Sequence, residues 1–240
     1  MSYFESRLRI NLENSNEIKK KLGFCERLGI KNLILEPKND IRRISLNLKK
    51  KIENLTKINL SYRITLKPNS LNELKRVIKE YSNFEDLLSV ETPDKEAQLY
   101  AARDSRVDLI SFSEQNILKT ITPGVISLAK QNESFIEFSL APIMVTNRSI
   151  QSKNFRNLYR FIRLVRNLNV NYIINGNFED LYDFRHPRAL ISICNSLLGI
   201  PLNAAKRVFK ENPLKLLERV QKKRDKNIIE AGVRLVKELE

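Results

Sequence analysis

Seven short runs rich in β-branched and aromatic residues recur along the chain, and most gaps between them hold a segment of helical period. The runs are Arg7 to Leu12, Asn32 to Glu36, Lys57 to Leu66, Leu87 to Glu91, Val107 to Phe112, Ser134 to Leu140 and Asn171 to Asn175. The helical segments are Asn16 to Leu28, Leu71 to Tyr81, Asp94 to Arg103, Pro123 to Gln131 and Ser152 to Leu168. Thr92-Pro93-Asp94 and Thr122-Pro123 are good helix openings, because a side-chain oxygen can accept an orphan N–H where proline has none to offer. Strand, helix, strand in succession predicts a parallel sheet with right-handed crossovers, either doubly wound or closed on itself. Seven such units in 240 residues favour the closed form, a TIM-barrel-like α/β fold. After Asn175 the pattern changes, and Pro187 to Leu198, Pro201 to Lys210 and Pro213 to about Glu240 read as helices, each led by proline. The expected organisation is one domain over residues 1–240, with 187–240 as a helical extension packed on the barrel.

Barrel enzymes place their chemistry where strands end. Here those places hold Glu36, Glu91, Ser111, Asn175 and Gly176. Glu36 and Glu91 have two readings: paired carboxylates for acid–base work in a metal-dependent phosphoesterase or hydrolase, or loop acceptors and helix caps. A multinuclear metal site needs clustered imidazole and carboxylate ligands. The chain has one histidine, His186, and its first strand, Arg7-Leu8-Arg9-Ile10-Asn11-Leu12, offers no ligand pair. Glycine-rich phosphate loops, the G-x-S-x-G elbow and a Cys–His nucleophile pair are also missing. No autonomous active site and no bound cofactor are expected, and His186 reads as a loop hydrogen-bonder.

The charge balance points to a polyanion. Lys and Arg number 43 against 28 Asp and Glu, a net charge of +15, and each phosphate neutralised by such a surface releases counterions. The helix after the sixth strand concentrates this charge. At 100° per residue, Leu158, Phe161, Ile162, Leu164, Val165 and Leu168 gather on one side, and Lys153, Arg156, Arg160, Arg163 and Arg166 on the other. No Asp or Glu occurs from Phe138 to Phe178, so this stripe has no acidic partner on its own helix. Three readings stand: RNA, for which the guanidinium fork is suited, an acidic protein partner, or a solvated face with counter-charges on a neighbouring element. Arg185 and Arg188, in Asp183-Phe184-Arg185-His186-Pro187-Arg188, sit where a loop would point them outward. Lys206, Arg207, Lys222, Lys223, Arg224 and Lys226 are interrupted by acids, and a structural network explains them at least as well as RNA contact.

Cys25 and Cys194 lie far apart in amphipathic segments and read as reduced core thiols. With no apolar signal core at Met1-Ser-Tyr-Phe-Glu and no long apolar stretch, the expectation is a cytoplasmic protein without a membrane partner.

The order of motifs in the second half resembles one family. Phe138-Ser139-Leu140-Ala141-Pro142-Ile143-Met144, the basic helix, Tyr172-Ile173-Ile174-Asn175-Gly176, Arg185-His186-Pro187-Arg188-Ala189-Leu190, Leu198-Gly199-Ile200 and Asn212-Pro213-Leu214-Lys215-Leu216-Leu217-Glu218-Arg219 are similar in sequence and spacing to ribonuclease P protein component 3. This is the archaeal family that corresponds to the thirty-kilodalton subunit of the eukaryotic enzyme. The likeness covers about residues 105 to 225; before that only the βα alternation and Asp108 to Phe112 fit.

It implies a polymerase and histidinol phosphatase-type barrel without its metal ligands, in an endoribonuclease whose RNA subunit removes 5′ leaders from precursor tRNA using Mg²⁺. The implied partners are ribonuclease P RNA, a small RNA-recognition-like ribonuclease P protein subunit and the precursor tRNA. By the resemblance Arg185 is the first RNA-binding candidate, followed by Arg148, Arg160, Arg163 and Arg188; the stripe adds Arg156. A generic RNA-binding barrel remains the other alternative to the hydrolase.

Overall fold

Parallel pairing runs without interruption through seven strands in chain order, β1 (Tyr3–Ile10), β2 (Ile30–Pro37), β3 (Asn59–Leu66), β4 (Leu87–Val90), β5 (Leu109–Phe112), β6 (Phe135–Ser139) and β7 (Tyr172–Asn175). The structure is a computed structural model and describes residues 3–39, 43–82, 84–224, 228–230 and 233–234. The ring is completed by the residue position just beyond β7. Phe178 bridges Leu8 in parallel, its N–H donating to Arg7 O at 3.2 Å and its carbonyl accepting Arg9 N–H at 2.9 Å. The expected barrel is therefore present, with a narrow seam between β1 and β7.

Helices α1 (Ser15–Arg27), α2 (Leu46–Glu53), α3 (Leu71–Val77), α4 (Lys95–Arg103), α5 (Gln115–Leu118), α6 (Pro123–Gln131) and α7 (Arg148–Asn167) cross between strands. Their starts are chemically marked. Asn14, Ser45, Ser70, Asp94, Thr122 and Asn147 each accept an N–H of the first turn through a side-chain oxygen. Asn147 moves the start of α7 four residues ahead of the expected Ser152 and puts Arg148 inside the helix. The expected helix Leu71 to Tyr81 divides into α3 and a 3-10 turn at Ile78–Tyr81.

Strand periodicity sorts side chains onto two faces. Outward residues such as Leu8, Ile10, Leu33, Leu35, Ile64, Leu88, Val90, Ile110, Phe112, Ile136, Phe138 and Ile174 pack beneath the helices in one large cluster. Inward residues form layers. At the strand starts Ile34, Leu87, Leu109, Phe135 and Ile173 make an apolar floor, closed by Leu216 and Val220. Above the floor the lumen is polar.

The floor is closed by the last of three C-terminal helices, α8 (Pro187–Ser196), α9 (Leu202–Val208) and α10 (Glu211–Arg224). Lys223 Nζ pairs with Asp108 Oδ1 at 2.5 Å and donates to the carbonyls of Ser105 and Arg106 at 3.1 and 2.8 Å. Arg219 Nε lies 3.6 Å from the same carboxylate. Burial raises the pKa of Asp108 against the pull of Lys223. These two cations therefore belong to a structural network.

One expected element needs correction. The helix read from Pro213 to about Glu240 starts at Glu211 and ends at Arg224, and Ile228–Glu230 and Val233–Arg234 form an antiparallel pair, β8 and β9. The β-branched pair Ile228-Ile229 and Val233 flank Ala231-Gly232, a composition that favours a strand pair over a helix. The rest of that expected helix, with Lys226, lies outside the described residues. Cys25 and Cys194 are free and buried, and burial pushes the Cys194 thiol up to about 12 and Cys25 also upward.

Candidate functional site

The polar lumen is organised around two fully buried arginines. Arg7, on the inward face of β1, donates from Nε to Glu36 Oε2 at 2.7 Å and from Nη2 to Glu36 Oε1 at 2.9 Å. The same guanidinium reaches Glu91 Oε2 at 2.8 Å and Oε1 at 3.1 Å, and Ser111 Oγ at 3.2 Å. Arg63, on β3, holds Glu137 of β6 through two bonds of 2.6 and 2.9 Å, takes Ser89 Oγ at 2.9 Å, and lies 3.1 Å from Glu36 Oε2 through Nε. Two buried cations thus hold three carboxylates inside the ring, and Arg9, 3.7 Å from Glu36 and 4.0 Å from Glu91, supplies a third positive charge at its edge.

This settles what Glu36 and Glu91 can do. Burial would raise Glu36, but Arg7 and Arg63 outweigh it and hold its carboxyl at about 2. Glu91 is likewise buried and likewise held down by Arg7. Burial also opposes the Arg7 charge, yet Glu36 and Glu91 keep its pKa well above the ordinary value. A carboxylate locked in the ionised form by a bidentate arginine neither supplies a proton nor readily takes one near neutral pH. Strand ends therefore bring the two carboxylates together as expected, but onto an arginine rather than around a reacting centre.

Glu5, also inside the ring, is raised by burial to about 8. It is 1% exposed and spends its oxygens on the N–H groups of Gly176 and Arg7. Above the network Glu36 borders a cavity of about 80 Å³ shared with Arg9, Lys38, Lys67 and Glu179, and next to it, across Ile64, Thr65 and Lys67, lies one of about 370 Å³ lined by Leu66, Leu74, Val77 and Tyr81. Among the described residues no three His, Cys, Asp or Glu side chains are grouped to hold a metal ion. Asn175 is buried, and Gly176 is required where it stands, since a Cβ there would come 2.1 Å from Phe178 Cε1.

The basic candidates lie outside the ring in two groups. On α7, Leu158, Phe161, Ile162 and Val165 are buried while Arg148, Arg156, Arg160 and Arg163 are exposed, as the periodicity predicts. None of these four makes an ion pair among the described residues. The counter-charges that a solvated structural face would draw from a neighbouring element are not on α7's arginines. Arg166 is different, half-buried and donating to Gly199 O at 3.2 Å.

The second group stands on the turn from β7 into α8. Arg185 is exposed and donates from Nη1 to Tyr182 O and, at 2.9 Å, to Phe184 O. Arg188 falls in the first turn of α8, and is exposed. His186 is the N-cap of that helix, its Nδ1 accepting the Arg188 N–H at 3.1 Å, which is the hydrogen-bonding role read from sequence.

The lumen arginines were the part hidden from sequence reasoning. Glu137, a lone acid in the apolar strand Phe135–Ser139, and the inward parity of Arg7 and Arg63 carried the available signal.

Residues 5–225 match the family described as RNase P subunit p30. Ribonuclease P protein component 3 of Methanococcoides burtonii is 24% identical over 165 residues, covering 68% of this chain and 67% of that one. The protein of the same name from Methanococcus maripaludis is 23% identical over 175 residues, covering 72% and 74%. Among solved structures, a chain of archaeal ribonuclease P with mature tRNA superimposes with a TM-score of 0.79 at 16% identity, over 100% of both chains. The arginine-held carboxylates of the lumen and the exposed arginines outside it are features of a chain that, by the match across 5–225, belongs to the RNase P subunit p30 family.

Proposed function

We propose that this protein is a non-catalytic subunit of ribonuclease P, supporting RNA-catalysed removal of 5′ leaders from precursor tRNA by binding RNA and a partner subunit. The observation that carries the reading is the exposed arginine face of α7, unpaired among the described residues. From Arg148 to Arg163 it runs about 22 Å along the helix at 1.5 Å per residue, long enough to meet several phosphates. The binding of Glu36 and Glu91 by Arg7 supports leaving cleavage, and the Mg²⁺ it uses, to the RNA. A small RNA-recognition-like subunit is the expected protein partner, and precursor tRNA a further RNA partner.

The test is cleavage of precursor tRNA by reconstituted ribonuclease P RNA at low Mg²⁺, with and without this protein and the small subunit. Stimulation that requires both proteins supports the reading; no effect at any Mg²⁺ level, with the protein folded, defeats it. The α7 face is tested by Arg160→Ala with Arg163→Ala, expected to weaken RNA binding and flatten the salt dependence by about one to two units. An unchanged slope assigns these arginines elsewhere. Metal-dependent phosphoesterase turnover by the isolated chain that Glu91→Ala abolishes would restore the hydrolase alternative.

A further inference from the structure

The turn that carries Arg185 is fixed at both ends and presents an aromatic ring between them. Asp180 and Asp183 close the 3-10 turn Leu181–Asp183 as a capping box, with Asp183 Oδ2 accepting the N–H groups of Glu179 and Asp180 at 3.2 and 2.8 Å. On the far side Phe184 is buried, stacked on Phe178 at 4.6 Å and edge-on to Phe24 at 5.3 Å. The Arg185 guanidinium ties the carbonyls of Tyr182 and Phe184 together from outside. Between these anchors the Tyr182 side chain is left 91% exposed, against 66% for Leu46, the next most exposed large apolar residue among those described.

The surroundings select among occupants. Arg185, which holds the Tyr182 carbonyl, and Arg188, in the first turn of the helix that follows, are both exposed and without a carboxylate partner among the described residues. The acids of the turn are committed: Asp180 and Asp183 to backbone N–H groups, Glu179 to Arg9 and Lys38. A protein hot spot would set an aromatic in an apolar surround, whereas along this turn, from Glu179 to Arg185, Leu181 at 41% is the other exposed apolar residue. An exposed aromatic face on a turn that also carries guanidinium groups with no carboxylate partner is instead the chemistry of a single-stranded nucleic-acid site, where rings stack on bases and cations take the phosphates.

We propose that Tyr182 is a stacking platform for one unpaired RNA nucleobase, with Arg185 and Arg188 on the flanking phosphates. The proposal rests on the RNA-binding reading above and adds the form of RNA, since a duplex keeps its base faces stacked and out of reach.

The chain contains no tryptophan, so Tyr182→Trp makes a single fluorescent reporter at the site. Titration of the full chain with an eight-nucleotide single-stranded RNA should quench this tryptophan, and a blunt RNA duplex should not. Tyr182→Ala should lose affinity for the octamer by on the order of tenfold and keep its affinity for the duplex, while Tyr182→Phe should bind both like the parent. An alanine variant that binds the octamer as the parent does, or loses equally on both RNAs, overturns the proposal. So does loss of a protein partner with RNA binding unchanged, which would make the ring a protein contact. If the parent chain binds neither RNA, the RNA-binding reading beneath it falls as well.

Discussion

Replacing Arg7 by Met removes one cation from the barrel lumen and deprives Glu36 and Glu91, at 5% and 0% side-chain exposure, of the guanidinium hydrogen-bonded to both. The Glu36 carboxyl falls from 4.5 to about 2 in the folded protein, which at about 1.4 kcal/mol per unit is roughly 3 kcal/mol of stabilisation. Breaking a buried ion pair by deleting one partner costs about 3–5 kcal/mol, in agreement, and lowers the midpoint of thermal unfolding by about 10 °C in a chain this long. The pH dependence is the sharper test. In the parent, the pairing of Glu36 stabilises above the unfolded value of 4.5 and is lost as pH falls toward 2. Without Arg7, burial is opposed only by Arg63 and Arg9 at Glu36 and by Lys67 and Arg9 at Glu91, so the two carboxyls rise and the folded variant is expected to take up protons as pH falls from 7 to 5. Urea unfolding at both pH values should therefore show a large deficit at pH 7 that shrinks at pH 5. Adding Glu36→Gln and Glu91→Gln should recover much of it. A deficit under about 1 kcal/mol, or one that does not change with pH, refutes the account of the lumen as a charge-compensated core.

Two further outcomes follow from the same region. Glu5, raised by burial to about 8, holds a proton in the folded state over a window in which the unfolded chain has lost it, so stability falls as pH rises from 4.5 to about 8. Glu5→Gln should flatten that decline and gain about 2–4 kcal/mol over the parent at pH 9 relative to pH 5, measured by urea unfolding. Gly176→Ala places a Cβ 2.1 Å from Phe178 Cε1 at the seam, and should cost about 3 kcal/mol; partial recovery on adding Phe178→Leu separates this clash from a backbone effect, and stability like the parent's would contradict the close approach.

Most of the seven strands were legible because they are short runs rich in β-branched and aromatic residues bounded by a cap or turn residue, whereas β1 begins at Tyr3, four residues ahead of the expected Arg7, because Glu5, Ser6 and Arg7 break its apolar run. The helix Leu46–Glu53 was not, because Ile52 is its one buried residue and Leu46 is 66% exposed, so its apolar period is nearly absent and Ser45 was the remaining signal. The exposed face of α7 followed from a period of 3.6 uninterrupted by acids. The lumen did not. Glu36 and Glu91 are visible as strand-end carboxylates, but an arginine in a strand reads as surface charge unless its partners across the ring are known, and those lie 29 to 84 residues away. For Lys223 the structural network that its interspersed acids suggested is present, but its partner, Asp108, is more than a hundred residues away rather than on its own helix.

The closure of the barrel floor by α10 sets an order on the making of this protein. Ile34, Leu87, Leu109, Phe135 and Ile173 are complete once the seventh strand has been made, yet the side chains that cover them, Leu216 and Val220, come more than forty residues later. During synthesis the seven strands therefore precede their own lid, with an apolar ring facing water at one end until α10 arrives. The stretch that reads as an appendage to the barrel is the piece without which its interior stays open.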